Sequence, residues 1–266
     1  MSSSDSSTPA AIEPASTTPL RPTPSAISRL VCGRVTGHSP LAKTLSHLSE
    51  TLDSLVKELP KPFGSAEQVH PLFSPFLARS VLEISCTALI ARLDPFRVLT
   101  LAAVQSHADY VLGKRAAAAL QWQGDVMSDG KDKVGLQDRR PTEMSRALFG
   151  DNVEAIVWKP AFEAFLDTCS KMTLGPRAQT LQNLSAESFL PRSRGMASST
   201  FSIASKGVHH EFVLPHTSYY DPTTLEVLVD DAMHICADLG VVANWCEHIP
   251  FSMSPIEALG IYEEIL

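Results

Sequence analysis

Residues 201–245, which read FSIASKGVHHEFVLPHTSYYDPTTLEVLVDDAMHICADLGVVANW, decide the fold of this chain. In the second half of the stretch, apolar residues recur at steps of three and four, a spacing that predicts a long amphipathic helix. Asp221 and Pro222 predict where this helix begins, because aspartate caps helices and proline suits the first helical position. The stripe consists of Leu225, Leu228, Val229, Ala232, Cys236, Leu239, Val242 and Ala243.

Helical periodicity returns along most of the chain. Residues 39–59 carry a leucine-rich stripe behind a Ser-Pro start, and residues 71–93 are apolar around most of the circumference, which predicts a central helix. An Asp-Pro start at residue 94 predicts another helix, and residues 254–266 predict a last short one. No stretch shows the two-residue alternation of a half-buried strand. The sequence therefore predicts an all-α fold, a helical bundle of about seven to nine helices.

Amino-acid composition predicts where the folded domain begins and where it contains loops. Residues 1–27 are rich in Ser, Thr, Pro and Ala, and cannot bury enough apolar surface to offset the entropy of ordering, so they predict a disordered N-terminal tail. Residues 28–266 are predicted to form a single all-α domain. Within it, residues 124–141 predict an exposed loop because they are rich in Gly and Asp, and residues 191–195 predict a flexible joint.

The charge balance limits the classes of partner. The chain has a net charge of −7 and only 19% charged residues. An acidic balance argues against non-specific binding to nucleic acids or to anionic membranes. A low charged fraction favours a chain that buries much of its surface, in part against a protein partner or a second copy. No apolar run is long enough to span a membrane, and the sequence predicts a cytoplasmic protein without membrane association.

The sequence predicts neither a cofactor nor a metal site. It contains no P-loop, no dinucleotide-binding glycine motif and no H-E-x-x-H pair. Five cysteines are scattered without a C-x-x-C pair, which predicts buried thiols and not a disulfide framework or a zinc site.

Two groups of side chains are the candidates for chemistry. His209, His210 and Glu211 are consecutive, and on a helix they point about 100° apart, so they cannot all enter one site. Arg79 and Glu83 interrupt the predicted central helix at i and i+4, a spacing that predicts an ion pair on one helical face. An imidazole oriented by a carboxylate, with a guanidinium nearby, is suited to the cleavage of a phosphodiester. The same residues would equally form a satisfied polar network that fixes helix packing.

The segments LARSVLEISCTALIARLDP, residues 77–95, and SIASKGVHHEF, residues 202–212, followed by a long closing helix, resemble helical-bundle proteins of the HEPN class. The resemblance covers about residues 70–245 and is to the divergent members found in bacterial defence and abortive infection. It implies dimerisation and metal-independent RNA cleavage, in which a histidine acts on the 2′-hydroxyl proton and an arginine stabilises the phosphorane. The chain departs from the family's pattern, because no arginine is followed by a histidine at the family's spacing of four to six residues.

Three functional hypotheses follow. The first is an HEPN-like helical module that acts by self-assembly or by binding another protein, with one of the helices at 39–59 and 221–245 sealing an interface. The second is a metal-independent endoribonuclease that uses His209, Arg79 and Glu83, with RNA as its substrate. The third is a helical ligand-binding regulatory domain, which would contain an enclosed apolar pocket of several hundred Å³.

Overall fold

The structure, a computed structural model, describes residues 25–59, 73–108, 110, 148–150, 153–208 and 220–265. Within these residues the chain forms nine α-helices and no strand, which confirms the predicted all-α bundle. Residues 1–24 of the predicted tail and the predicted loop at 124–141 lie outside the described residues.

The helices are numbered in chain order. They are α1 (Ala26–Cys32), α2 (Pro40–Glu58), α3 (Ser74–Leu93), α4 (Pro95–Gln105), α5 (Lys159–Cys169), α6 (Pro176–Gln182), α7 (Ala186–Val208), α8 (Pro222–Ala243) and α9 (Pro255–Glu263). The predicted starts are confirmed, since the side chains of Ser39, Asp221 and Ser254 each accept a hydrogen bond from the backbone N–H three residues later.

Helix α1 corrects the boundary of the predicted tail. Ala26 and Ile27 were assigned to that tail, yet they belong to a helix that Ser25 caps, and Ile27 is only 1% exposed. The prediction was wrong at these residues because a helix of 7 residues is too short to show an apolar period. Its stability comes from packing against α3 and α8.

Helices α3 and α8 form the centre of the bundle. They pack against each other, and α1, α2 and α7 surround them. Residues 235–244, which form the last part of α8 and its C-cap, are all buried, so this part of the helix is buried on every side. Helix α3 is buried over most of its circumference, as predicted. Buried residues from all nine helices belong to one contiguous core.

Both predicted amphipathic stripes face this core. Leu45 and Leu52 of α2 are 0% exposed, as is Leu239 of α8, and Leu228 is 3% exposed. The expectation that one of these two helices seals an intermolecular interface was therefore wrong. Their apolar faces are already covered by the chain itself.

Residues 191–195, predicted as a flexible joint, lie inside the continuous helix α7. Pro191 removes one backbone donor, but Phe189 and Leu190 beside it are each 1% exposed and anchor this part of the helix. Ser193 donates its hydroxyl to the carbonyl of Phe189 across 2.9 Å. The prediction was wrong because tertiary packing outweighs the local preference of a Pro- and Gly-bearing segment.

A change in helix type marks the start of α5. Residues Glu154–Trp158 form a π-helical turn that continues directly into α5, whose second residue is Pro160. A proline at this position interrupts the regular hydrogen bonding of an α-helix. A proline lacks the backbone N–H needed for the regular ladder, and π-helical turns accommodate such interruptions.

Candidate functional site

Helix α3 presents the predicted Arg79–Glu83 ion pair. The Nε atom of Arg79 lies 3.1 Å from Oε1 of Glu83, and the side chains are 26% and 41% exposed. The guanidinium carbon of Arg79 also lies 4.6 Å from the centre of the Phe201 ring on α7. Arg79 therefore joins α3 to α7 through its charge and through a cation–π contact.

These contacts bring together two of the three residues predicted for a catalytic site. His209 follows the last described residue of α7 and lies outside the described residues. A half-exposed ion pair of this kind contributes at most about 1 kcal/mol to stability. The contact of Arg79 with Phe201 is typical of residues that pack two helices together. The catalytic role of Arg79 and Glu83 stays a prediction.

A buried arginine that the sequence analysis did not single out joins four parts of the chain. Arg92 of α3 is 0% exposed. It donates hydrogen bonds to the carbonyls of Leu30 and Val31 at the end of α1, to the carbonyl of Pro250 and to Oδ1 of Asn244. Burial lowers the pKa of Arg92 to about 10, so the group stays protonated at neutral pH. Its role is structural, because backbone carbonyls and one amide oxygen occupy its donors.

A second buried polar cluster lies between α6, α7, α8 and α9. The hydroxyl of Tyr262 donates to Oδ1 of Asp238 across 2.5 Å, and an Arg192 nitrogen lies 3.7 Å from Oδ2 of Asp238. Arg177 is 8% exposed and its guanidinium lies 5.0 Å from the centre of the Tyr262 ring. Burial raises the pKa of Asp238, while the Tyr262 hydrogen bond and the neighbouring arginines oppose that shift.

Arg177 differs from Arg92 in its hydrogen bonding. Its three guanidinium nitrogens are buried and have no hydrogen-bond acceptor within the part of the chain that the structure describes. Because these atoms have no accessible surface, the cluster holds no room for a ligand beside them. Arg92 is a single charged residue inside an apolar run, and this pattern could have predicted a buried arginine. Arg177 lies in a polar segment, where the sequence gives no such indication.

All five cysteines are buried, as predicted. Burial raises the pKa of Cys32, Cys236 and Cys246 to about 12, and that of Cys169 to about 11. Thiols with such pKa values are not nucleophiles at neutral pH. Among the described residues, no group of three His, Cys, Asp or Glu side chains is placed to hold a metal ion.

Helix α4 is the helix that the fold covers least. Only Val98 is fully buried, although α4 is rich in apolar residues. Phe96 is 73% and Val104 is 39% exposed, and Thr100 and Ala103 are exposed between them. These four residues, at i, i+4, i+7 and i+8, share one side of the helix, which we call the α4 face.

The α4 face carries no charge. The one charged side chain of α4 is Arg97, which forms an ion pair with Asp94 at the helix start. Large exposed apolar residues also occur elsewhere, at Phe73, Phe76, Ile156, Val227 and Ile256. The α4 face differs from the single exposed positions on the π-helical turn, α8 and α9 because its apolar residues lie in line along one helix. Phe73 and Phe76 form a shorter exposed pair at the start of α3.

Comparison of the chain with known protein families, with curated proteins and with solved structures found no match. None of the helices described by the structure is long and apolar enough to cross a membrane.

Proposed function

We propose that this protein is a helical module that acts by assembling with a second copy of itself through the α4 face. The observation that supports the proposal is the exposure of Phe96, which is 73% accessible near the start of α4. Aromatic side chains supply much of the binding energy of protein interfaces, and their burial favours association.

A second copy is the occupant that best matches the chemistry of the face. An uncharged helical strip offers no electrostatic pattern that would select a different, charged partner. The same strip on two copies is self-complementary, because a two-fold axis places Phe96 of one copy beside Val104 of the other when the helices run antiparallel. Thr100, midway between them, would then lie close to the axis.

The size of the α4 face determines how tightly two copies of the chain are expected to bind. An α-helix of 11 residues is about 16 Å long, which is short compared with stable dimer interfaces. We therefore expect a reversible dimer whose population rises with protein concentration, and not an obligate one.

Light scattering coupled to size-exclusion chromatography tests this proposal on the full chain. We expect Phe96→Asp to lower the apparent mass to that of the monomer, 28.8 kDa, at concentrations where the unchanged chain is larger. Ile256→Asp is the matched control, because Ile256 is 72% exposed but lies on α9. An unchanged chain that is monomeric at every concentration, or an equal effect of both substitutions, would contradict the proposal.

The metal-independent endoribonuclease is a second proposal. Its supporting observation is the Arg79–Glu83 pair, which α3 presents partly exposed at the contact with α7. It predicts RNA cleavage in the presence of a metal chelator, abolished by His209→Ala while circular dichroism and melting temperature stay unchanged. RNA left uncut by the unchanged chain would remove this proposal.

A further inference from the structure

A groove of about 420 Å³ lies between the first turns of α2 and the loop that connects α1 to α2. The loop contributes His38, and α2 contributes Lys43, Ser46, His47 and Glu50. The four α2 residues follow the spacing i, i+3, i+4 and i+7, so they lie along one side of the helix. The volume is within the range of small-molecule sites, about 300–1,000 Å³.

The groove gathers donors without using them in the fold. His38, Lys43 and His47 are exposed, and their side chains have no hydrogen-bond or ion-pair partner within the described residues. Two histidines, a lysine and a serine therefore line the same open space. This differs from Arg79 and Arg92, each of which joins α3 to another part of the chain.

The combination favours an anion with several acceptor atoms. A phosphate group offers three terminal oxygens, one for each of the three cationic or titratable nitrogen donors, whereas a carboxylate offers two. The groove also lies at the N-terminal end of α2, a helix of 19 residues whose dipole adds positive potential there.

Glu50 adds a carboxylate to the lining of the groove. It lies one turn beyond His47, at the end of the groove away from His38 along α2, and its carboxylate disfavours a second anionic group. We propose that the groove binds the phosphate group of a small phosphate monoester.

The lining of the groove combines nitrogen donors with one carboxylate. The ionisable side chains that line it are His38, Lys43, His47 and Glu50. Arg34, in the same loop, pairs with Glu257 and does not line the groove.

The test follows the histidine signals of the full chain by NMR while inorganic phosphate and then ribose 5-phosphate are added. We expect the ring signals of His38 and His47 to move together in a saturable way as each ligand is added. The double substitution His38→Gln and His47→Gln should weaken binding by at least about tenfold. His248→Gln, at an exposed histidine outside the groove, is the matched control and should leave the affinity unchanged.

A further variant and a further ligand distinguish the possible outcomes. Lys43→Gln should also weaken binding by about tenfold, and it serves if the double substitution alters the circular dichroism spectrum. A short single-stranded RNA supplies the same phosphate chemistry as a diester chain. Absence of saturable shifts at His38 and His47, equal shifts at His248, or binding of the RNA without binding of ribose 5-phosphate would each overturn the proposal.

Discussion

The guanidinium of Arg92 donates a hydrogen bond to Oδ1 of Asn244 across 3.0 Å, and the same oxygen accepts the backbone N–H of Met253 across 3.1 Å. Asn244 in turn donates to the carbonyl of Gly240 across 2.8 Å. This relationship ties α3 to the end of α8 and to the chain that follows it. With the carbonyls of Leu30 and Val31, it makes Arg92 the point where α1, α3 and α8 are held together.

Arg92→Met should therefore be strongly destabilising. The substitution keeps much of the side-chain volume but removes the arginine donors from the carbonyls of Leu30, Val31 and Pro250, and it leaves Asn244 Oδ1 with the Met253 N–H alone. Removal of one partner from a buried network of this kind costs about 3 kcal/mol or more. Urea unfolding followed by circular dichroism measures the change. A loss below about 1 kcal/mol would show that the network does not hold the three helices together.

Arg177→Met should affect the free energy of unfolding much less than Arg92→Met does. Arg177 is also buried, but its guanidinium nitrogens lack acceptors among the described residues. Methionine therefore removes a desolvation cost together with the cation–π contact to Tyr262 and the attraction to Asp238, and these effects oppose each other. We expect the free energy of unfolding to change by less than about 1 kcal/mol or to rise. The same urea experiment provides the comparison, and a loss equal to that of Arg92→Met would contradict this interpretation of Arg177.

Asp238→Asn should alter how stability depends on pH. Burial raises the pKa of Asp238 in the folded protein above its usual value, so the folded state binds the proton more tightly than the unfolded state does. Ionisation of Asp238 therefore costs stability at neutral pH, and the cost disappears as the pH falls through the folded-state pKa towards the usual value. Asparagine keeps an acceptor for the Tyr262 hydroxyl and carries no charge.

Unfolding experiments on the two proteins between pH 4 and pH 7 measure this effect. We expect the stability of Asp238→Asn relative to the unchanged chain to be greatest at neutral pH and to shrink on acidification. A relative stability that is independent of pH, or that grows as the pH falls, would show that Arg192 and Arg177 outweigh the effect of burial.

Gly175 and Gly195 should respond differently to alanine. A Cβ atom on Gly175 would lie 2.3 Å from the carboxyl carbon of Glu263, whose oxygens accept the backbone N–H groups of Arg177 and Ala178. Gly175→Ala should therefore displace Glu263 and lower the melting temperature. Gly195 lies exposed inside α7 with no atom within 4 Å of its Cβ position, so Gly195→Ala should stabilise by about 0.5–1 kcal/mol. Thermal unfolding compares the two, and equal effects would contradict this assignment.

The sequence predicted the helices better than it predicted the polar contacts. The Ser-Pro and Asp-Pro starts and the apolar stripes of α2 and α8 are local patterns, and the structure confirms them. The ion pair of Arg79 with Glu83 was also predictable, since both residues lie on one helix. Contacts such as Arg92 with Pro250 join residues 158 positions apart, and no local pattern specifies them.

The same distinction explains the errors. The joint predicted at residues 191–195 followed from Pro191 and Gly195, but the burial of Phe189 and Leu190 decides the helical conformation. The periodicity of α2 and α8 showed that each has an apolar face, but it could not show that the chain itself covers both faces. The open face belongs instead to α4, which has apolar residues on its covered side as well as on its exposed side, so periodicity alone does not show which side stays open.

Oxidative cross-linking of Thr100→Cys tests the central proposal, self-assembly through the α4 face, most directly. The native cysteines are all buried, so the introduced thiol is the reactive one within the described structure. If two copies meet with Thr100 near their two-fold axis, mild oxidation should yield a disulfide-linked dimer much faster than it does for Thr180→Cys, at an exposed threonine on α6. Equal, slow cross-linking of the two variants would contradict the account.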